Sequence, residues 1–295
     1  MQSSIKAPAK INLSLHVGPP KANGRHDLIS LIAFADGAAT DTLIATPANH
    51  FSLAVEGPFA VQTGPARDNL ILKAARAMQA SIPNDVPALA FKLIKNLPCA
   101  AGMGGGSADA AAALHLIMQA HGGETARDAA YRSAPELGGD VLSCLYGVPG
   151  LMQGEGEQYE PVLSVPPLAA LLVNAGQACP TGAVFKQYDT QAPNQLPVHP
   201  LPPAGRAREA DFIAWLEQNT QNSLEQAAIQ CVPEIADVLD RLKRLPGARL
   251  VRMSGSGATC YVLFDRREES EQGAKLLQAD HPDWWVCPTY LGRGD

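Results

Sequence analysis

The sequence lacks the features that mark several common protein classes. It has six cysteines, and none belongs to a CxxC pair or a Cys/His cluster, so a structural zinc site is not expected. No run of about 18 apolar residues occurs, which argues against a membrane span. The N-terminal stretch MQSSIKAPAKINLSLHV has no continuous apolar segment and is not a signal peptide. We therefore expect a cytoplasmic protein with reduced thiols.

Basic residues are also scarce. The chain has 23 Lys and Arg against 29 Asp and Glu, a net charge of −6. Because no basic stripe offsets this charge, nucleic-acid and membrane partners are not expected, although a local basic pocket for a small anion is compatible with it. With 46% hydrophobic and 18% charged residues, the 295-residue chain has the composition of a globular protein. Its length suffices for two domains.

Hydrophobic periodicity predicts a mixture of strands and helices. KINLSLHV (10–17) alternates apolar and polar residues, which predicts a half-buried strand. Further strands are predicted at 28–35, 42–48, 88–98, 168–176, 249–253, 259–264 and 284–291, and helices at 66–82, 107–119, 267–279 and in ADFIAWLEQ and PEIADVLDRLKRL. Five prolines place 192–205 in a surface loop. Since strands and helices do not alternate strictly, the expected class is α+β.

A glycine-rich loop stands directly before one of these helices. In PCAAGMGGGSADAAAA, four of the five residues 102–106 are glycine. Backbone N–H groups can converge in such a loop, and the next helix adds its positive end, which suits a phosphate chain. The alternative is a tight loop whose glycines only permit close packing. Ser107 follows, either as a helix cap or as a hydroxyl for a phosphate or a magnesium ion.

Two well-known nucleotide motifs do not fit this loop. The pattern GxxxxGK[ST] fails because no lysine follows the last glycine. The pattern GxGxxG fails because Ser107 stands where the last glycine would be. A dehydrogenase that binds NAD is therefore poorly supported.

The loop resembles the phosphate-binding motif of the GHMP kinases. Three other segments are similar to family motifs in the expected order: APAKINLSLHV to the first motif, LGGDVLSCLYG to the element with the acidic residue, and RMSGSGATCYVLF to the third motif. The sequence GGGSADAA is similar to the form of this motif in one branch of the family, which phosphorylates a cytidine-diphosphate sugar alcohol in the non-mevalonate route to isoprenoid precursors. The resemblance spans residues 6–264.

The resemblance implies a two-domain α+β fold. Residues 1–157 would form a ribosomal-protein-S5-like domain that binds ATP, and 158–295 a ferredoxin-like domain, with the active site in the cleft between them. It also implies ATP and Mg²⁺, small-molecule substrates, no dedicated metal residues, and a monomer or weak homodimer.

The resemblance further implies roles for single residues. Asp140 is the candidate base, and Lys10 its partner near the acceptor hydroxyl. The expected ATP contacts are Pro98, Gly102, Met103, Gly104, Gly105, Gly106, Ser107 and Asp109. The expected acceptor contacts are Asn12, Arg25, His26, Thr181, Phe185, Gly255, Ser256 and Gly257. Arg25 stands where the family has a tyrosine, and because a guanidinium can stack on a base, we expect Arg25 to stack on the cytosine.

Ordinary structural roles compete with four of these assignments. Lys10 can be a solvated lysine at a strand end, and Asp140 a helix cap. His26 can be a turn histidine and Phe185 a core residue. Two other functions also stay open: a GHMP kinase for homoserine or mevalonate, and a non-catalytic metabolite sensor with the same fold. Lys10 and Asp140 together favour a catalyst, since a sensor has no use for a base.

Overall fold

The computed structural model describes residues 2–82, 86–203, 205 and 207–292. The strands are β1 (Ser3–Pro8), β2 (Lys10–Asn12), β3 (His16–Pro20), β4 (His26–Ala35), β5 (Thr40–Pro47), β6 (Ser52–Glu56), β7 (Leu89–Ile94), β8 (Gly150–Gly154), β9 (Gln158–Pro161), β10 (Leu168–Asn174), β11 (Val251–Met253), β12 (Cys260–Phe264) and β13 (Trp285–Gly292). The helices are α1 (Leu70–Ser81), α2 (Gly105–His121), α3 (Gly123–Leu137), α4 (Val141–Tyr146), α5 (Thr181–Asp189), α6 (Glu209–Asn219), α7 (Glu225–Cys231), α8 (Glu234–Lys243) and α9 (Arg267–Asp280). None of these helices is long and apolar enough to cross a membrane, so far as the described residues extend.

The chain divides into two compact units that interleave along the sequence. Unit 1 comprises Met1–Ala9, Thr40–Cys99 and Gly104–Gly147, and unit 2 comprises Lys10–Ala39, Ala100–Met103 and Val148–Asp295. The glycine loop is thus shared, with its first residues in unit 2 and its last glycines in unit 1. The domain boundary expected after residue 157 stays a prediction, because these units are defined by packing and are not contiguous in sequence.

Unit 1 is built on a four-stranded sheet in the order β1-β5-β7-β6. β5 pairs antiparallel with β1 and β7, whereas β6 runs parallel to β7. Leu43 of β5 pairs with Leu93 of β7, and both side chains are fully buried. The alanine-rich helix α2 packs against β1 and β5, and α1 packs against α2. The small side chains of Ala110–Ala113 are all buried, which lets α2 lie close to its neighbours.

Helix α2 begins two residues earlier than predicted. Its N-cap is Gly104, which has a left-handed backbone (φ +60°) and offers no capping side chain. Ser107 therefore lies inside the first turn, and its predicted role as the helix cap is wrong. A glycine takes the cap position because a residue with a Cβ is strained in this conformation.

Unit 2 contains a nine-stranded antiparallel sheet. Its main path is β11-β12-β10-β13-β4-β8-β9, and β2 and β3 both pair with β4. Every residue of β10 is buried, because β12 and β13 flank it in the sheet and α9 packs against it. Helix α8 packs against β11 and β12.

The segment 10–17 differs from its prediction in two respects. It forms the separate strands β2 and β3 rather than one strand. Its polar side chains are also buried, with Asn12, Ser14 and His16 exposed by only 2%, 0% and 3%. The alternation is correct, but the second face is covered and its polar groups are hydrogen-bonded, as buried polar groups must be.

Most other regular elements are confirmed to within a few residues. The predicted strands 28–35, 42–48 and 168–176 correspond to β4, β5 and β10. The loop 192–205 is confirmed over its described residues 192–203 and 205. Eight elements were not predicted: the strands β1, β6, β8 and β9 and the helices α3, α4, α5 and α7. All but α3 are short segments, which form through tertiary contacts rather than through a clear periodicity.

Candidate active site

In unit 2 the start of the glycine loop packs against the turn that follows β11. A Cβ on Gly102 (φ +73°) would lie 2.4 Å from the Ser254 carbonyl oxygen and 2.8 Å from that of Gly257. No side chain fits at such distances. The close approach that this glycine permits is therefore made by the chain's own backbone, as the packing alternative predicts.

Strand β2 joins the same junction through hydrogen bonds. The Lys10 amide donates to the Met103 carbonyl at 2.8 Å, and the Asn12 amide donates to Ser254 Oγ at 3.1 Å. Ser254 Oγ in turn donates to the Gly102 carbonyl at 2.9 Å. Three motifs that are far apart in sequence thus meet inside one unit.

The Lys10 side chain belongs to this junction. Lys10 is 3% exposed, and its Nζ donates to Asn12 Oδ1 at 2.8 Å. Asn12 Nδ2 donates to Ser30 Oγ at 2.7 Å. The interpretation of Lys10 as a solvated lysine at a strand end is therefore wrong.

The third motif also meets α5. Thr181 Oγ1 and Ser256 Oγ share a hydrogen bond of 2.8 Å. A Cβ on Gly255 would lie 3.1 Å from the Gly102 carbonyl oxygen and 3.2 Å from Asn12 Oδ1. The predicted acceptor residues Asn12, Thr181, Gly255 and Ser256 thus form one connected group in unit 2.

A second group in unit 2 surrounds His26, which is buried. The ring of His26 lies 4.9 Å from that of Phe185 and 6.1 Å from that of Tyr188. Its Nε2 is 2.8 Å from Asp189 Oδ1. His26 and Phe185, two of the predicted acceptor contacts, thus lie side by side. Tyr188 and Asp189 were missed, although their spacing of three and four residues from Phe185 places all three on one face of α5.

Arg25 lies in an exposed ion cluster rather than in this group. Its side chain is 72% exposed, and its Nη1 is 3.2 Å from Glu155 Oε2. Lys21 Nζ lies 2.9 Å from Glu155 Oε1. Hydrogen bonds from Lys21, and then from Asn23, lower the pKa of Glu155 to about 2. The predicted stacking of Arg25 on a base stays a prediction.

In unit 1 the last glycines form the first turn of α2. The N–H groups of this turn have no acceptor within the helix, and they carry its positive end. Gly106 is exposed, and outside the helix's own backbone a Cβ there would meet, among the described residues, only Leu70 Cδ1, at 3.7 Å. A Cβ on Gly105 would lie 3.2 Å from Lys95 Nζ. Packing within the described residues therefore does not require glycine at position 106.

A buried ionic triad lies beside this turn and was missed in the sequence. Lys95 Nζ is 2.5 Å from Asp41 Oδ2 and 2.7 Å from Asp109 Oδ2. Burial raises the pKa of Asp109 to about 7, against the opposing effect of the Lys95 ammonium. Burial alone would lower the pKa of Lys95, but the two carboxylates outweigh it and raise that pKa. The sequence does contain one sign of this triad: a single lysine in the apolar run AFKLI and a single aspartate in the run SADAAAA indicate charged groups that are buried.

The triad connects the two ends of the glycine loop. Asp41 Oδ1 accepts from the amides of Asn96 and Leu97, at 2.6 and 2.9 Å, where the chain leaves β7. Asp109 lies on α2, where the chain leaves the loop. Its Oδ1 has no hydrogen-bond partner among the described residues. In this structure Asp109, one of the predicted ATP contacts, is a buried partner of Lys95.

Asp140 stands at the N-terminus of α4 in unit 1. It occupies the N-cap position, but its side chain makes no capping hydrogen bond. The backbone carbonyl instead accepts from Ser143 Oγ at 2.8 Å. The cap alternative therefore does not explain an aspartate here. The two predicted catalytic residues lie in different units, Asp140 in unit 1 and Lys10 in unit 2.

Comparison with known proteins shows the family of the chain. The model of the GHMP kinases N terminal domain matches residues 69–148, and that of the GHMP kinases C terminal domain matches 206–281. A 4-diphosphocytidyl-2-C-methyl-D-erythritol kinase of Hyphomonas neptunium is 46% identical over 288 residues, which are 97% of this chain and 95% of that protein. The chain belongs to this family of GHMP kinases.

Other relatives agree with this membership. The protein with the same name from Caulobacter vibrioides is 41% identical over 97% of this chain and 98% of its own length. A crystal structure of 4-(cytidine 5'-diphospho)-2C-methyl-D-erythritol kinase superposes with a TM-score of 0.78 at 28% identity, over 98% of this chain and 99% of the other. A homoserine kinase from Cytophaga hutchinsonii shares the fold alone, with a TM-score of 0.67 at 15% identity over 99% and 96% of the two chains. The predicted two-domain α+β GHMP kinase fold is confirmed.

Proposed function

We propose that the chain is an ATP-dependent kinase that phosphorylates the 2-hydroxyl of 4-diphosphocytidyl-2-C-methyl-D-erythritol. The observation that carries the proposal is the 46% identity over 97% of the chain to a kinase of that name. The buried Lys10 and the group around His26 support it, since both hold residues that the family resemblance assigns to catalysis and to the cytidine.

The phosphates of ATP are the proposed ligands of the glycine loop. The free amides in the first turn of α2 and the exposed Gly106 suit a phosphate that approaches the backbone closely. Pro98, Met103 and Ser107 are proposed to contribute to the same site. Magnesium is proposed to enter with the nucleotide as MgATP, since this ion keeps waters and phosphate oxygens among its ligands.

The proposed chemistry is a direct transfer of the γ-phosphoryl group. The 2-hydroxyl oxygen forms a bond to the γ-phosphorus, the bond from that phosphorus to the β,γ-bridging oxygen breaks, and ADP leaves. Asp140 accepts the hydroxyl proton, and the Lys10 ammonium stabilises the negative charge that develops during transfer. In this assignment Asn12 holds the Lys10 ammonium through its Oδ1.

The cytidine is the proposed ligand of the group around His26. An imidazole can pair with the donor and acceptor edge of a pyrimidine, and the Phe185 ring can stack on its face. Thr181, Gly255, Ser256 and Gly257 are proposed to contact the rest of the acceptor.

A panel of acceptors tests the proposal. The purified protein is incubated with MgATP and, separately, with 4-diphosphocytidyl-2-C-methyl-D-erythritol, homoserine or mevalonate, and both ADP and the phosphorylated product are measured. We expect efficient turnover of the cytidine-bearing alcohol alone. Preferred turnover of homoserine or mevalonate would contradict the assigned acceptor. Binding of ATP and the cytidine-bearing alcohol without product would instead identify a sensor.

A further inference from the structure

A path of hydrogen bonds, buried except for the partly buried last one, leads from Lys10 to the proline-rich loop 192–205. All of its residues lie in unit 2. From the Lys10 ammonium it passes through the Asn12 amide to Ser30 on β4, which is 0% exposed. From Ser30 it continues to the backbone carbonyl of Ser14, a residue that is also 0% exposed, and the hydroxyl of Ser14 contacts His199 in the loop.

The Ser30 hydroxyl fixes the orientation of the Asn12 amide. Ser30 Oγ lies 2.6 Å from the Ser14 carbonyl oxygen, which can only accept, so the hydroxyl proton is used there. Ser30 Oγ must then accept at its other contact, and the group facing it at 2.7 Å is the NH₂ of Asn12. The amide oxygen of Asn12 is thereby turned toward Lys10 Nζ, and a flipped amide would place NH₂ against the ammonium.

His199 completes the path at its outer end. Ser14 Oγ accepts from the Leu31 amide at 3.0 Å and shares a hydrogen bond of 2.7 Å with His199 Nε2, in which the tautomer of the ring decides which atom donates. Burial, and then the neighbouring His16, lower the pKa of His199 to about 4, so the imidazole is uncharged at neutral pH.

We propose that Ser30 is a positioning residue for the Lys10 ammonium. The backbone carbonyl of Ser14 holds the Ser30 hydroxyl, and His199 of the loop 192–205 holds the Ser14 side chain. The proposal rests on the catalytic role of Lys10 given above. It assigns a task to a loop whose sequence predicts only an exposed connection, and it concerns the orientation of the catalytic cation rather than contact with substrate.

A double-mutant cycle tests this proposal. Ser30→Ala, Asn12→Ala and the double variant are compared with the parent enzyme for kcat and for the KM of ATP. We expect Ser30→Ala to lower kcat about five- to tenfold, the size of one lost hydrogen bond, and to change the KM of ATP less than twofold. In the Asn12→Ala background, Ser30→Ala should change kcat less than twofold, because the amide that it orients is already absent.

Ser270→Ala is the matched control. Ser270 is also 0% exposed and lies in unit 2, and its Oγ donates to the Arg267 carbonyl within α9. This variant loses a buried hydroxyl outside the path and should keep the parent kcat. If Ser30→Ala does not fold, His199→Leu serves in its place, because leucine cannot bond to the Ser14 hydroxyl. The expected fall in kcat is about threefold at an unchanged KM for ATP, and an unchanged kcat overturns the positioning role.

The outcomes separate the positioning role from the proposed function. An unchanged kcat for Ser30→Ala, or equal effects of Ser30→Ala in both backgrounds, overturns the positioning role, provided that Lys10→Met has lost activity. Full activity of Lys10→Met instead contradicts the catalytic role of Lys10, and the positioning role falls with it.

Discussion

The most direct prediction concerns the glycines of the loop, because different positions of the loop require glycine for different physical reasons. Gly106 has room for a Cβ, whose nearest neighbour would be Leu70 Cδ1 at 3.7 Å, and it lies within α2. Gly106→Ala should therefore keep the fold, and replacing glycine at a compatible site stabilises by about 0.4–1 kcal/mol. The melting temperature should rise by about 1–4 °C, at about 2–4 °C per kcal/mol for a chain of this size.

The same variant should impair ATP binding. The added methyl group projects from the turn whose amides we assign to the phosphates. We expect the KM of ATP to rise at least about tenfold, equivalent to about 1.4 kcal/mol of lost binding free energy. Coupled detection of ADP and a thermal melt measure the two effects on one sample. An unchanged KM for ATP in a folded Gly106→Ala protein would refute our assignment of this turn to the phosphates.

Gly102→Ala is the contrasting variant. Its Cβ would lie 2.4 Å from the Ser254 carbonyl oxygen, and its φ is +73°. The left-handed backbone costs about 1–2 kcal/mol and the overpacking about 1–3 kcal/mol, so the free energy of unfolding should fall by about 2–5 kcal/mol. Gly147→Ala isolates the backbone cost, since its backbone is left-handed (φ +62°, ψ +18°) and the Cys144 carbonyl oxygen lies at an ordinary 3.7 Å from the added Cβ. Equal losses in the two variants would show that the clash does not matter.

Three further predictions concern catalysis and stability. Asp140→Asn should lower kcat by about 10²–10⁴-fold, and calorimetry should show an unchanged affinity for ATP. If the variant keeps the parent kcat, Asp140 is not the catalytic base. Lys95→Met should lower the free energy of unfolding, measured in urea, by about 3–5 kcal/mol because it leaves buried carboxylates without their cation. The control is Lys92→Met, which removes an exposed ion pair with Glu56 and should lower that free energy by less than about 1 kcal/mol. Because burial lowers the pKa of His199 to about 4, the unfolded chain binds more protons below about pH 6.5, and stability should fall as the pH drops from about 6.5 toward 4. His199→Gln should flatten that slope in urea titrations at several pH values.

The sequence allowed the regular elements to be predicted wherever one periodicity dominates. Strand β10 is a short run of apolar residues, and α8 has an apolar stripe at helical spacing, so both were found. The burial of Ser14 and His16 was not predictable from alternation, because it depends on partners such as His199, far along the chain. Without knowledge of those partners, alternation predicts that the polar residues of a strand face the solvent.

The site residues were predictable only as members of motifs. The resemblance named Lys10, Asn12 and the glycine turn after β11, but their meeting at Gly102 depends on tertiary contacts between residues as far apart as 12 and 254. The Lys95 triad was missed for a related reason. A single lysine in an apolar strand has no periodic signature, and its partners Asp41 and Asp109 lie 54 and 14 residues away.

The glycine loop illustrates how packing and ligand binding can share one motif. A ligand alone does not explain Gly102, because a carbonyl of the same chain occupies the space its side chain would need. Packing alone does not explain Gly106, because the described residues leave that space open. Glycine costs backbone entropy at each position, so each must be retained for its own reason. The first fixes where the loop lies, and we infer that the second keeps the backbone accessible to a phosphate.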